Sequence, residues 1–462
     1  MKAIFIYKIE RLAAISLLLG LGLLLSACES FTEVDLPQSE LTATAVFEDV
    51  ATVNAAFANI YAKMRDDVLV TGQGSGIGVL MGLYADELDY YGVPGEAADT
   101  FYRHAVLASN TEVSSIWNDT YNLIYTTNSI LEGVGKSVNL LKADEEKFMG
   151  EALFVRAYLH FYLAQLFGPI PYISTTDYKI NKDVSRIPER EAYLLMVQDL
   201  LEARTLLSTV STSNDKIRPS AMAVKALLAR IYLVQKDYAL AVVNASAVIN
   251  DGGFSLGDDV IGVFLKNSSS TIWQLKPEVG ANTWEALTYI FVGQPPFVAL
   301  NPELVDSFEA DDARREEWIG TVNAGGETYY YPFKYKLRQG SSNEYSILMR
   351  LAEQYLIRAE AKLYLGDLNG ALQDINAIRV RAGLPPATGT TTLEVALAIE
   401  NERRHEFFTE QGHRWFDLKR TERANELIGP IKPNWRTTDV LLPIPEKELN
   451  LNPNLQPQNA GY

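Results

Sequence analysis

Cysteine and histidine are nearly absent from this sequence, which has 1 Cys and 4 His in 462 residues. A single cysteine excludes an intrachain disulfide and a thiolate metal cluster. The histidines show no zinc-ligand spacing, so we expect structural roles for them and predict no metal site and no cofactor. They are His104, His160, His405 and His413. Calcium held by oxygen ligands from distant loops is the alternative that spacing leaves open.

Positive charge is also scarce. The chain has 41 Lys and Arg against 58 Asp and Glu, which gives a formal net charge of −17. Such a chain repels phosphate backbones, so nucleic acid is excluded as a partner. An acidic surface keeps the protein soluble and suits an uncharged ligand that needs no electrostatic steering.

Long apolar runs are missing except near the start of the chain. Residues 12–25 form a run of about 14 residues, which is shorter than the roughly 20 that cross a bilayer. Lys2, Lys8 and Arg11 precede it, so residues 1–27 are predicted to be an export signal. Leu25-Ser26-Ala27-Cys28 looks like a bacterial lipobox, in which Cys28 becomes lipidated. Residues 28–45 would then be a flexible tether; an uncleaved anchor with an incidental cysteine is the alternative.

Helical periodicity dominates the rest of the chain. Apolar residues from Phe148 to Leu166 recur at steps of three and four, and Gly168-Pro169 stops that helix. Pro219-Ser220 predicts a second helix start, and Thr391 with Glu394 predicts a capping box.

An internal repeat relates residues 229–248 to residues 359–378. Ala229 matches Ala359, Asp237 matches Asp367, and Ala241 matches Ala371. Small residues at a helix crossing, followed by a turn and a second apolar stripe, predict tetratricopeptide-like helical hairpins. We expect such hairpins over about residues 46–170, 190–250 and 350–412 of a single mainly α unit, 46–462.

Two regions break the helical pattern. Residues 252–348 are rich in Gly, Asn, Ser and aromatic residues and predict an irregular insertion with short strands. Residues 433–462 contain five prolines and predict an extended tail that wraps along the surface.

Four pairs of segments together resemble the SusD/RagB family of outer-membrane nutrient-binding lipoproteins, over nearly the whole mature chain. They are Glu151–Phe161 with Phe167–Pro171, Tyr355–Ala361 with Asp374–Gly383, Glu402–Phe407 with Gly412–Arg420, and Leu442–Pro445 with Gln458–Tyr462. Ala460 stands where the family usually has proline, a departure confined to the tail.

The resemblance implies a right-handed scaffold of tetratricopeptide-like hairpins, lipid-anchored in the outer membrane and facing outward. It implies a SusC-like, TonB-dependent transporter barrel as partner and a glycan or oligosaccharide as ligand. The same architecture binding peptides is one alternative. A helical scaffold protein in an outer-membrane complex is another.

Carboxylates and charged helices offer little catalytic chemistry. Asp86, Glu87 and Asp89 could supply the pair that a glycosidase needs, but they are expected to lie ionised in a polar loop and either to hydrogen-bond sugar hydroxyls or simply to be solvated. Glu402, Arg403, Arg404, Glu406, Arg414 and Asp417 are expected to form ion pairs that lock the last helices in place. The sequence therefore predicts a protein that is not an enzyme.

Aromatic residues are the more informative group, because flat rings pack against the C–H patches of sugars. The candidate ligand-binding residues lie in the loop near residue 90 and in the insertion: Asp86, Tyr90, Tyr91, Phe101, Trp284, Tyr289, Trp318 and Tyr329. For any single one of these loop aromatics, burial beneath the loop is the alternative. Five further aromatics fall on helix stripes and are expected in the core: Trp117, Tyr121, Tyr158, Tyr162 and Trp415.

Overall fold

The computed structural model describes residues 46–210, 214–340 and 343–462. The predicted export signal, Cys28 and the tether up to residue 45 lie outside these ranges. Within them, no helix is both long enough and apolar enough to cross a bilayer. Residues Phe47–Tyr462 form one compact unit.

This unit is mainly helical, which confirms the predicted fold class. The helices are α1 Val50–Asp66, α2 Ile77–Tyr84, α3 Ala97–Tyr102, α4 Thr111–Val134, α5 Lys142–Phe167, α6 Tyr178–Asn181, α7 Glu189–Leu206, α8 Ala221–Val234, α9 Tyr238–Ile249, α10 Trp284–Tyr289, α11 Pro302–Asp306, α12 Ala313–Glu317, α13 Leu351–Tyr364, α14 Leu368–Arg381, α15 Thr392–Phe407, α16 His413–Arg420, α17 Ala424–Leu427 and α18 Glu446–Leu451. The strands are β1 Leu88–Tyr90, β2 Thr271–Leu275, β3 Val298–Leu300, β4 Ile319–Ala324, β5 Glu327–Pro332 and β6 Ser346–Arg350.

Helix α5 is the central element of the first half. It packs between α4 and α7, and every residue from Gly150 to Phe167 is buried. The sequence predicts one apolar face, but the structure buries the helix on all sides because Phe154, Phe161 and Leu163 fill the opposite faces. Gly168 ends α5 with a φ of 72°, a conformation that glycine adopts without strain. The aromatics expected on helix stripes are buried or partly buried in this core.

The internal repeat appears as two matching helix pairs. Helices α8 and α13 start 130 residues apart, at Ala221 and Leu351, and α9 and α14 start at Tyr238 and Leu368. The turn before the second helix of each pair ends in an aspartate, Asp237 or Asp367, whose side chain accepts a backbone N–H of the first helical turn. Helix α9 packs against α13, so the pairs stack on one another. Their tetratricopeptide character and handedness stay predictions.

The insertion carries two antiparallel sheets. Strands β2 and β6 form one, and the other has the order β1-β3-β5-β4. Gly325 and Gly326 connect β4 to β5 in a two-residue hairpin, and both have a positive φ, as the tightest hairpin turns require. The four-stranded sheet thus joins the segment near residue 90 to the insertion.

The charged helices α15 and α16 form the expected ion pairs. Glu406 is fully buried and binds the guanidinium groups of Arg314, Arg350 and Arg381. The buried ion cluster around it contains equal numbers of acidic and basic groups: Asp312, Arg314, Lys334, Arg350, Arg381, Glu402, Glu406 and Glu410. Several of these partners come from the insertion, so the cluster ties the insertion to α15.

The tail from Pro433 is less extended than its prolines predict, because it contains α18 and two turns of 3₁₀ helix, Thr437–Val440 and Pro453–Leu455. It does lie along the helical core. The backbone N–H of Leu442 donates to the carbonyl of Leu166 at 2.8 Å, and the amide of Asn459 donates to the carbonyl of Phe167 at 2.9 Å. The tail therefore covers the C-terminal end of α5.

Candidate functional site

Strand β5 presents two tyrosines on one face of the four-stranded sheet. Alternate residues of a strand point to opposite faces, so Tyr329 and Tyr331 share a face while Tyr330 points the other way. Tyr330 packs against the core, and the guanidinium of Arg315 lies 5.3 Å from its ring centroid. Tyr329 and Tyr331 are each only partly buried.

Gly320 leaves space for the ring of Tyr331. Gly320 pairs with Tyr331 across β4 and β5, and a Cβ added at position 320 would overlap that ring. The ring of Tyr331 therefore packs over the backbone of β4, in the space that a side chain at position 320 would occupy. Phe291 and Phe333 support it, with ring centroids 5.2 and 5.6 Å away.

Tyr91 completes the site from the β1 edge of the sheet. Its backbone N–H donates to the carbonyl of Phe297 at 2.7 Å, which continues the pairing of β1 with β3. Its side chain is 43% exposed, and its ring meets that of Tyr329 edge-on at 5.6 Å. Tyr91, Tyr329 and Tyr331 are called the aromatic platform below.

Polar groups surround the platform. Asp89 accepts hydrogen bonds from Tyr102 and Asn301 at 3.3 and 3.1 Å. Burial, with the nearby charges of Asp89 and Glu327, raises the pKa of Tyr91, and burial raises that of Tyr331. Both phenols therefore keep their protons at neutral pH and can donate to a ligand oxygen.

The sequence predicted Tyr91 and Tyr329 as candidates but missed Tyr331. Their adjacency depends on pairing between segments more than 200 residues apart, which no local pattern reveals. A signal for Tyr331 does exist: in Thr328-Tyr-Tyr-Tyr331 the alternation of a strand assigns positions 329 and 331 to one face.

Three predicted ligand-binding aromatics are buried, which corrects the expectation of exposed rings. Trp318 is 1% exposed because its indole N–H donates to the carbonyl of Val260 and its ring packs on Phe264. Phe101 is fully buried against Tyr84, and Tyr289 is 4% exposed. None of these rings has a face open to a ligand.

The other two predicted aromatics are partly exposed. Tyr90 packs its ring on Phe297 and donates its hydroxyl to the carbonyl of Val93. Trp284 donates its indole N–H to Asp66 of α1 at 2.7 Å. Tyr90 thus supports the sheet beside the platform, whereas the described contact of Trp284 is with α1.

Asp86 and Glu87 lie in the turn between α2 and β1, but this turn is packed against protein, so the expectation of solvated and ionised carboxylates is wrong for Glu87 and only Asp86 is held ionised. Asp86 accepts hydrogen bonds from Nε and Nη2 of Arg414, at 2.8 and 2.9 Å, and forms an ion pair with Arg404. Burial favours the neutral form of Asp86, but these arginines outweigh it and hold its pKa below the ordinary value. Its oxygens are therefore already occupied by protein.

Glu87 is 1% exposed and accepts the backbone N–H of Thr409 at 3.1 Å. Burial first, and then the charge of Asp86, raise the pKa of Glu87 to about 8. Glu87 is thus a buried neutral acid at pH 7, and neither carboxylate faces a solvent cleft as a glycosidase acid or nucleophile must.

The histidines form internal contacts. The ring nitrogens of His160 bond the carbonyl of Arg156 and the N–H of Ile173, and His405 bonds the hydroxyl of Ser307. Burial is the main cause that lowers the pKa of both histidines to about 3. Both rings are therefore neutral at physiological pH, in agreement with the expected structural role.

Family models match two parts of the chain. Residues 85–233 match a SusD-like model described as starch-binding and associating with the outer membrane, and residues 319–462 match the model of the SusD family. Together these ranges contain Tyr329, Tyr331 and Tyr91.

Curated relatives and solved structures cover most of the chain. SusD-like protein P2 of Formosa agariphila is 28% identical over 92% of this chain and 95% of its own length. A SusD superfamily protein from Bacteroides vulgatus has a TM-score of 0.80 at 23% identity, covering 90% of this chain and 100% of that one. A laminarin-binding SusD-like protein has a TM-score of 0.75 at 23% identity, covering 89% and 99%.

Proposed function

The chain belongs to the SusD/RagB family, and we propose that it captures oligosaccharides at the cell surface and passes them to a TonB-dependent transporter barrel without altering them. The observation that carries this proposal is the aromatic platform. Rings that are partly open to solvent and flanked by hydrogen-bonding groups are what a sugar needs. The binding of laminarin by a protein of similar fold supports the choice of glycan over peptide.

The described chemistry favours capture without turnover. Hydrolysis needs a positioned acid together with a base or nucleophile. Asp86 forms ion pairs with Arg404 and Arg414, and Glu87 is buried and accepts the backbone N–H of Thr409. Neither carboxylate is therefore available to a bound sugar. A protein that hands its cargo to a transporter also gains nothing by cleaving it.

A glycan-binding measurement tests the proposal. We expect the mature protein to bind an oligosaccharide with a Kd in the micromolar to millimolar range, or about −4 to −8 kcal/mol. Tyr91→Ala and Tyr331→Ala should each weaken binding about tenfold, because each removes a stacking surface. Isothermal calorimetry against a glycan identified on an array measures this.

The matched control is Tyr125→Ala, which removes a 50% exposed tyrosine from α4. It should bind like the wild type. Wild-type affinity in both platform variants would refute this site. Binding of peptides with no glycan retained on the array would refute the choice of ligand, and fragments of the bound glycan in mass spectra would refute capture without turnover.

Lipid anchoring is tested at Cys28, which lies outside the described residues. We expect Cys28→Ala to leave the fold intact and to move the protein from the membrane fraction to the soluble fraction, because the covalent lipid is the proposed anchor. Fractionation of cells that lack the transporter, with a Ser26→Thr variant as control, measures this. Retention of the Cys28→Ala protein on membranes would contradict a lipid anchor.

A further inference from the structure

We infer that the aromatic platform selects uncharged oligosaccharides and rejects glycans that carry uronate or sulfate groups. This inference rests on the proposed function and names the class of ligand for that same site. It is carried by the position of Glu327 and by the engagement of the nearby cations.

Glu327 lies on the same face of β5 as the two platform tyrosines. Residues 327, 329 and 331 alternate with 328 and 330, and Glu327 is exposed. The spacing of a strand places its Cα about 6 to 7 Å from that of Tyr329. The charges of Glu327 and Asp89 both contribute to the raised pKa of Tyr91, so both carboxylates act on the platform. A glycan that stacks there lies near both negative charges.

Basic side chains near β5 are engaged by other groups of the protein. Arg315 packs on Tyr330, which points to the opposite face. The ammonium of Lys336 lies 5.4 Å from the ring centroid of Phe333, beside the platform, but it pairs with Glu317 at 2.8 Å. Lys334 is buried in the ion cluster, where it donates to the carbonyl of Glu406.

The cations near Tyr91 are similarly engaged. Arg103 pairs with Asp99 at 2.8 Å. Lys432 is 7% exposed and donates to the carbonyl of Leu83 at 3.0 Å, and burial lowers its pKa to about 8. No ion pair within the described ranges involves Glu327, so its charge is not neutralised. Recognition of a carboxylate or sulfate would need a basic side chain that faces the ligand.

The platform also sets a minimum ligand length. Tyr329 and Tyr331 stand two residues apart on one strand, and Tyr91 adjoins Tyr329. One sugar ring covers one tyrosine, so use of the whole platform requires an oligosaccharide. Chains of several sugar units therefore fit best.

The test compares two probe sets on an array and by calorimetry: neutral hexasaccharides of glucose and mannose, and hexasaccharides of galacturonate and mannuronate. The wild type should bind a neutral probe and should bind the uronates at least tenfold more weakly at low salt. Glu327→Lys should improve uronate binding about tenfold, and added salt should remove much of that gain. Glu327→Gln should change neutral binding less than threefold.

Glu422→Lys is the matched control, because Glu422 is 82% exposed and the substitution changes the net charge equally. Its uronate binding should stay near the wild-type value. Uronate binding by the wild type that equals neutral binding and is lost in Tyr331→Ala would overturn the inference but leave the proposed function intact. An equal gain in Glu422→Lys would also overturn it. Failure of every glycan on the array to bind would overturn the proposed function itself.

Discussion

Replacement of Glu406 by glutamine is expected to lower the free energy of unfolding by about 3 to 5 kcal/mol, because it leaves buried guanidinium groups without their counter-charge. Glu406 is 0% exposed and binds Arg314, Arg350 and Arg381, and its backbone carbonyl also accepts from Lys334. These arginines hold the pKa of Glu406 well below its usual range, despite burial. Urea denaturation followed by circular dichroism measures the loss.

The comparison variant is Glu422→Gln, which breaks an exposed ion pair with Lys236. Surface pairs contribute little, so this change should cost less than about 1 kcal/mol. A Glu406→Gln protein as stable as Glu422→Gln would show that the ion cluster is dispensable for the fold. The attachment of the insertion to α15 would then have to depend on other contacts.

The stabilising contribution of Glu87 should fall as the pH rises from about 4.5 to about 8. The folded protein keeps the Glu87 proton up to its pKa of about 8, whereas the unfolded chain releases it near 4.5. At Glu87 the folded state therefore binds more protons than the unfolded state across this window, so this group favours unfolding as the pH rises. His160 and His405, whose pKa burial lowers, act in the opposite direction below about pH 6.5. The contribution of Glu87 amounts to about 3 to 5 kcal/mol. Glu285, with a pKa raised to about 7, acts in the same direction.

Glu87→Gln isolates this effect, since glutamine keeps the size and cannot ionise. We expect it to match the wild type near pH 5 and to exceed it in stability near pH 8.5. Thermal unfolding across this range measures the difference, with the exposed Glu303→Gln as the control that should leave the slope unchanged. Parallel curves for wild type and Glu87→Gln would contradict the buried neutral acid.

Much of the helical scaffold follows from local sequence signals. The 130-residue offset predicts both helix pairs, and Asp237 and Asp367 cap their second helices as the repeat implies. The capping box of Thr391 and Glu394 is present at the start of α15. Each of these helix caps depends on residues within four positions of one another, which is why a local sequence pattern reveals it.

The site depends on long-range pairing and was only partly predictable. Tyr91 contacts Tyr329 because β1, β3 and β5 belong to one sheet. The position of the Tyr331 ring depends on the lack of a side chain at Gly320. Trp318 shows the converse: composition suggests an exposed ring in an irregular insertion, but the carbonyl of Val260 satisfies its N–H and permits burial. Whether an aromatic ring is open depends on partners that are distant in sequence.

The contacts of the tail with α5 also set an order of events during biogenesis. The chain is made from its N-terminus, so α5 exists long before residues 433–462 emerge. Until then the carbonyls of Leu166 and Phe167 lack the partners that Leu442 and Asn459 provide. The first half therefore cannot reach its final packing until residues 433–462 have been synthesised. This late segment completes the packing of the fold around the C-terminal end of α5.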